Sequence, residues 1–215
     1  MSVTASQQHA RIISILGAAE HAGLTPMPLS AVHAFAYLAN VLSPIWSLPP
    51  LDGKVLKQRS GPYYPVLQGD LDQLVGIGVV MAAEVGHFRD DDGQWRLRGN
   101  YRLGDHGPRL LAVLSRFPDE RSLQLFLTEL ALGLSRLRLG GVTDAPTEDA
   151  TYADDLISAG DVVDFGEWKL KNFSATAARR LGHLANAVGI QEPAEQLHLY
   201  LSHLALRLAD ERATA

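Results

Sequence analysis

The sequence predicts an α+β fold, mainly helical, and three observations carry that expectation. Apolar residues recur at helical spacing through much of the chain, most clearly in Leu123, Phe126, Leu127, Leu130, Leu134 and Leu137. Two strand-like segments, Val79 to Ala83 and Trp95 to Leu103, flank the turn Asp90-Asp91-Asp92-Gly93, whose glycine accepts the positive φ of a hairpin. The 215 residues are 47% hydrophobic and 20% charged, enough apolar surface for a packed core in one or two domains.

In chain order, Ser6 to Ala22 reads as an amphipathic helix with Ile12, Ile13, Ile15 and Leu16 inward, ended by Gly23. After the break Thr25-Pro26-Met27-Pro28, Ser30 is the expected cap of a helix through Val32, Phe35, Leu38 and Leu42, which Pro44 ends or kinks. A basic strand-like segment, Lys54 to Arg59, precedes Gly61-Pro62-Tyr63-Tyr64-Pro65 and the helix-like Val66 to Val75. Strand, helix and hairpin in that order read as a winged-helix unit closing near Leu103. The helix that would enter a DNA groove carries Asp70 and Asp72 and no Lys or Arg, so its composition opposes the usual use of the fold.

Beyond 104 the chain reads as helices. Gly104 to Phe117 is one, with Pro108 confined to its first turn. Pro118 to Leu139 is the next, opened by Asp119 and Glu120 near the positive end of its dipole. Leu125, Leu132 and Leu139 form a second apolar face there, marking the helix as central to the domain or covered by a partner. The connecting segment 140–168 holds eight acids and no Lys or Arg. Ser174 is the expected cap of a helix to Val188, and Pro193 opens a last helix with Leu197, Leu201, Leu204 and Leu208 on one stripe. The organisation expected is therefore 1–103, N-terminal helices plus winged-helix unit, and 104–215, a helical part with an acidic connection.

Charge and composition narrow the function. A net charge of −5 gives no general pull toward nucleic acid or an anionic membrane. The absence of cysteine removes disulfides, thiolate nucleophiles and Cys-ligated zinc. No apolar run approaches the roughly 20 residues of a membrane span, and no signal-peptide pattern opens the chain, so a cytoplasmic protein is expected.

Four constellations have chemical meaning. Lys54, Lys57 and Arg59, with Arg96, Arg98 and Arg102 on the second hairpin strand, form a basic set for phosphates; the alternative is a charged, solvated sheet edge. Glu167-Trp168-Lys169, with Asp149, Asp154, Asp155 or Asp164 upstream, has the Glu-x-Lys form of a Mg²⁺-dependent nuclease; the same acids serve equally as caps and turn residues. His198 and His203 are about 140° apart around a helix, so no metal site is expected there, and no cofactor loop of Gly-Lys-Ser/Thr form is present. Tyr37, Trp46, Tyr63, Tyr64 and Trp95 form an aromatic set, of which Tyr63 or Tyr64 beside the hairpin is a protein-contact anchor if exposed.

The residues 61–65, with Asp70 to Val75 and Tyr101-Arg102-Leu103-Gly104, resemble the signature of small winged-helix accessory proteins. Asp149 to Tyr152, Asp164 to Trp168 and Asn172 to Ala177 look like the second half of the same group, so the resemblance covers roughly 28–190. The group is the middle component of bacterial three-component systems built on an SMC/Rad50-like ATPase, the Lamassu-type anti-phage and anti-plasmid systems among them. The resemblance implies a non-catalytic subunit without cofactor, bound to the ATPase or bridging it to an effector nuclease. It places protein contacts at Tyr63, Tyr64, Asp164, Trp168 and Asn172, and leaves Lys54, Lys57, Arg59, Arg96 and Arg98 for non-specific DNA contact. A winged-helix DNA-binding regulator and a Mg²⁺-dependent nuclease are the alternative readings.

Overall fold

The computed structural model describes residues 5–49, 54–58, 61–89, 93, 95–137, 141–152, 158–164, 172–186 and 192–214. Within them the chain is mainly helical with short antiparallel sheets, as the sequence predicts. The order is α1 (Ala5–His21), β1 (Met27–Pro28), α2 (Leu29–Leu42), a 3₁₀ turn (Ser43–Trp46), β2 (Lys54–Gln58), β3 (Gly61–Tyr63), α3 (Pro65–Gly76), β4 (Val80–Arg89) and β5 (Trp95–Leu103). The helices α4 (Gly107–Leu114), α5 (Pro118–Leu134) and α6 (Gly141–Asp144) follow, then a 3₁₀ turn (Ala145–Glu148), β6 (Val162–Asp164), α7 (Phe173–Asn186) and α8 (Pro193–Thr214).

One sheet has the order β1-β5-β4, so the hairpin that follows α3 is completed by the two-residue β1. The basic strand before α3 goes elsewhere. Lys54–Gln58 is the middle of a second sheet, β3-β2-β6, in which Val55 pairs with Val163 and Lys57 with Pro62. The segment 54–63 is thus a hairpin of its own, inserted between α2 and α3 and tied to the acidic connection.

Helix α2 is the centre of the core. The window Leu29–Trp46 is long and apolar enough to cross a membrane by composition, yet 83% of it is buried inside the protein. Against it and α1 pack α3, through Leu67, Leu71 and Leu74, and β5, through Tyr101 and Leu103. Helix α5 lies against α1 and α8 with Leu123, Phe126, Leu127, Leu130 and Leu134 buried. Of its second stripe Leu125 is 57% exposed and Leu132 half-buried, and Leu139 lies outside the described residues. One apolar cluster runs from Ile12 to Leu208, so the boundary at 103/104 is crossed by the core itself.

Glycines permit two close approaches that matter here. A Cβ at Gly104 would meet the Gly78 carbonyl oxygen at 2.5 Å, where β4 and β5 converge, and one at Gly86 would lie 3.3 Å from Arg98 Nε. The ladder between β4 and β5 slips at Ala83/Gly86, and Glu84, in that bulge, has φ 54. Bulges bend the strand that carries them, and residues of β3, β4 and β5 line one cleft beside this one.

Candidate functional site

A cleft of about 660 Å³ opens between the inserted β2–β3 hairpin and the β4–β5 hairpin, with the start of α2 and α3 beneath it. Its mouth carries exposed aromatics, Trp95 (71% exposed) and Phe88 (43%). Tyr63 stands on the opposite wall, its ring centroid 4.9 Å from that of His33. Glu84 accepts a hydrogen bond from Asn100 Nδ2 at 2.6 Å, so the acid on this wall is engaged. Arg98 lines the same wall and makes no ion pair among the described residues.

Beneath the cleft, His33 is buried and its Nδ1 accepts the Tyr64 backbone N–H at 3.2 Å. Burial lowers its pKa to about 4, with a nearby Gln68 side chain opposing the shift. The proton of the neutral ring is therefore on Nε2. Gln68 donates its Nε2 to Asp72 at 2.9 Å, which leaves Oε1 to accept from His33, the side-chain hydrogen bond that opposes the shift. Nε2 of His33 and Oε1 of Gln68 are both buried, so this contact between them is closed to solvent.

The contact candidates separate once placed. Tyr63 lines the cleft, half-buried. Tyr64 does not serve as a contact. It is 2% exposed, and its hydroxyl accepts Asn40 Nδ2 at 2.8 Å, because the chain alternates sides on entering α3. Asn172 is a tie within the protein: its Oδ1 accepts the Ala175 N–H at 2.9 Å and its Nδ2 donates to the Val41 carbonyl at 2.8 Å. Asn172, rather than Ser174, thus caps α7. Asp164 pairs through its backbone with Lys54 in β6, and Trp168 lies outside the described residues.

The basic candidates do not form one patch. Lys57 donates to the Tyr152 carbonyl oxygen and sits 5.1 Å above the Tyr152 ring, a structural engagement with the acidic connection. Lys54 lies in the same strand, within the sheet that β6 completes. Arg59 lies outside the described residues, and Arg96 pairs with Phe88 across the hairpin. Arg98 and Arg102 are exposed on β5.

Helix α3 presents a surface unlike a groove reader. Asp70 turns inward, 7% exposed, with Oδ1 3.4 Å from His9 Nε2, so of the two acids only Asp72 faces outward. The outward face carries Val66 (60% exposed), Gly69, Asp72, Gln73 and Ile77 (66%). It is apolar and weakly acidic.

The acidic connection supplies the fold with a buried carboxylate. Asp149 is 0% exposed. Its Oδ1 accepts Tyr200 OH at 2.7 Å, and its Oδ2 accepts Tyr37 OH at 2.7 Å, Ser174 Oγ at 2.5 Å and the Thr151 N–H at 3.1 Å. Burial, then the Asp149 charge, push both tyrosine hydroxyls well above their usual pKa of 10. Neighbouring Glu148 lies 3.0 Å from Arg207 Nε. This removes Asp149 from the carboxylates available to a metal. Asp154, Asp155, Glu167 and Lys169 lie outside the described residues, and among the described residues no three His, Cys, Asp or Glu gather as a metal site. His198 is paired with Glu129, 2.9 Å from its Oε2.

Neither protein-family models, nor curated proteins, nor solved structures give a match to this chain.

Proposed function

We propose that this protein is a non-catalytic assembly subunit, working in the cytoplasm as the winged-helix accessory component of an SMC/Rad50-like ATPase complex of the Lamassu type. In this reading it links the ATPase to an effector nuclease in defence against phage or plasmid DNA. The observation that carries it is the outward face of α3, where Val66 and Ile77 are 60% and 66% exposed beside Asp72 and no cation. Apolar area with one acid suits a protein surface and repels a phosphate backbone. The order of α1, β1, α2, α3 and the β4–β5 hairpin, with the sheet order β1-β5-β4, supports the winged-helix part of the reading. The identity of the ATPase rests on the sequence resemblance.

The test is affinity capture of the tagged protein from its native host after nuclease treatment, read by mass spectrometry. Stoichiometric recovery of a large coiled-coil ATPase is expected, and its loss in the double variant Val66→Glu, Ile77→Glu at unchanged melting temperature places the contact on α3. Recovery of the bare chain would overturn the reading. A second reading, a DNA-binding regulator, is favoured by Arg98 and Arg102, both exposed on β5, the central strand of its sheet. It requires duplex binding that weakens steeply with salt and with neutralisation of these arginines.

A further inference from the structure

Strand β5 runs for 9 residues, yet β1 accompanies it over only 2. Met27 pairs with Tyr101 and Pro28 with Asn100, and the chain then leaves the sheet as α2. Alternation decides which backbone groups this leaves open. The Gly104 N–H bonds the Val79 carbonyl, on the β4 side, at 2.8 Å. Successive residues of an antiparallel strand direct N–H and C=O to opposite sides. The even-numbered residues of β5 therefore serve β4, and Tyr101, Leu97 and Trp95 face the side of β1. Tyr101 meets Met27 there. Among the described residues no strand continues β1 outward, so Leu97 and Trp95 present an open strand edge.

The cleft of about 660 Å³ follows that edge. Leu97 and Trp95, from the face of β5 that also carries the buried Tyr101, line it together with Arg98 and Asn100 from the opposite face. Residues of both faces meet in one cleft where it runs beside the strand. The neighbouring edges are blunted. Pro62 in β3 and Pro28 in β1 have no N–H to give, and β4 is bent by its bulge between Ala83 and Gly86. The segment Trp95 to Gly99 of β5 has no proline. A second copy of β5 would arrive with β4 behind it, on the side where Tyr63 and β3 stand, so the space suits a single extended segment.

We propose that this cleft takes an extended peptide segment of a partner protein, one that adds to β5 at Leu97 in line with β1 and alternates apolar with acidic residues. The peptide residue opposite Arg98 shares the face on which Arg98 and Arg102 are exposed and Glu84 is held by Asn100. A carboxylate at that position makes a cross-strand pair with Arg98. The residues on either side of it point to the other face, beside the half-buried Leu97 and the exposed ring of Trp95, and are apolar. In strand addition the main-chain bonds give affinity and the alternate side chains give specificity. The proposal does not rest on the assembly reading, whose surface at Val66 and Ile77 lies outside the cleft lining.

The probe is a fluorescein-labelled seven-residue peptide of alternating valine and aspartate, titrated with the full-length protein and read by fluorescence anisotropy. Its companions carry lysine for aspartate, or methyl groups on the valine amides, or methyl groups on the aspartate amides. With aspartate opposite Arg98, the valine amides are the ones that face β5. Methylating them is expected to weaken binding by roughly tenfold, and methylating the aspartate amides to weaken it less. The lysine peptide is expected to bind about fivefold more weakly. Arg98→Glu, at an exposed position, is expected to keep the melting temperature and to reverse the preference between the two peptides. Hydrogen exchange at the Leu97 amide is expected to be fast in the free protein and roughly tenfold slower with the aspartate peptide bound. Absence of saturation at millimolar peptide overturns the proposal, as do equal losses from the two methylated forms or an unchanged preference in Arg98→Glu. A Leu97 amide already protected in the free protein overturns it in favour of a segment of this chain on the edge. Dimerisation in sedimentation that the peptide reverses overturns it in favour of a second copy.

Discussion

The two oxygens of Asp149 are not equally served, and that asymmetry sets a measurable order. Oδ1 accepts one hydroxyl, from Tyr200, and Oδ2 accepts Tyr37, Ser174 and the Thr151 N–H. A hydrogen bond to a charged group is worth about 1.5–3 kcal/mol net, and a buried group left unpaired costs about 1–3 kcal/mol. Tyr200→Phe strips Oδ1 of its donor and removes the oxygen that accepts the Ala150 N–H at 3.4 Å, so a loss of about 3–4 kcal/mol is expected. Tyr37→Phe leaves Oδ2 with two donors and costs about 1–2 kcal/mol. For a chain of this length 1 kcal/mol moves the melting temperature by roughly 2–4 °C, so the two variants separate clearly. Urea unfolding followed by far-ultraviolet circular dichroism gives both values, and the double variant gives their coupling, which is expected to be non-zero because both act on one carboxylate. Equal losses in the two variants, or a Tyr200→Phe protein within 0.5 kcal/mol of wild type, would refute the reasoning.

The remaining predictions concern pH and glycine. Because Tyr37 and Tyr200 stay protonated in the fold above their usual pKa of 10, the unfolded chain releases protons first. Stability therefore falls as pH rises past 10, by about 1.4 kcal/mol per pH unit for each, and urea midpoints of Tyr37→Phe are expected to fall less steeply. His33 behaves in the opposite sense: with its pKa lowered from 6.5 to about 4, the unfolded state takes the proton first, so stability present above 6.5 is lost as pH falls toward 4. That loss amounts to about 3 kcal/mol, and thermal melts of His33→Gln across the same window are expected to be flatter. Gly104→Ala drives a methyl against the Gly78 carbonyl and is expected to cost about 1–3 kcal/mol. Gly69→Ala, in open space on the exposed side of α3, is expected to stabilise by about 0.5–1 kcal/mol, read in the same denaturation assay.

Local periodicity made the helices legible, and distant pairing hid the site. The stripe of α5 and that of α8 were readable because spacing of three and four residues is a local property, and Leu123, Phe126, Leu197, Leu201 and Leu204 are all buried. The partner of the β4–β5 hairpin was not readable. Met27–Pro28 is too short to show alternation, while Lys54–Gln58 has strand character and pairs elsewhere. Tyr63 and Tyr64 are indistinguishable by composition, and only the direction of entry into α3 puts one in the cleft and the other in the core. The role of Asp149 left no mark, since a residue among eight acids gives no sign that hydroxyls from positions 37, 174 and 200 converge on it. The cleft is assembled from residues between 28 and 143 and has no sequence motif.

The placement of Asp149 bears on how the two exposed surfaces keep their geometry. Its ligands come from α2, α7 and α8, and the segment that carries it continues to Tyr152, whose hydroxyl donates to the Gln58 carbonyl at 2.7 Å. The inserted hairpin is thus held from its far side by the acidic connection, through Tyr152, Lys57 and β6. A polar network of directional bonds fixes orientation where an apolar contact permits sliding. The hairpin forms one wall of the cleft, and the wall opposite belongs to β4–β5, bent by the bulge at Glu84. The width of the cleft is therefore set by contacts on both sides of the 103/104 boundary. A change at Asp149 is expected to alter the cleft without touching it, which ties the C-terminal helices to whatever the hairpins bind.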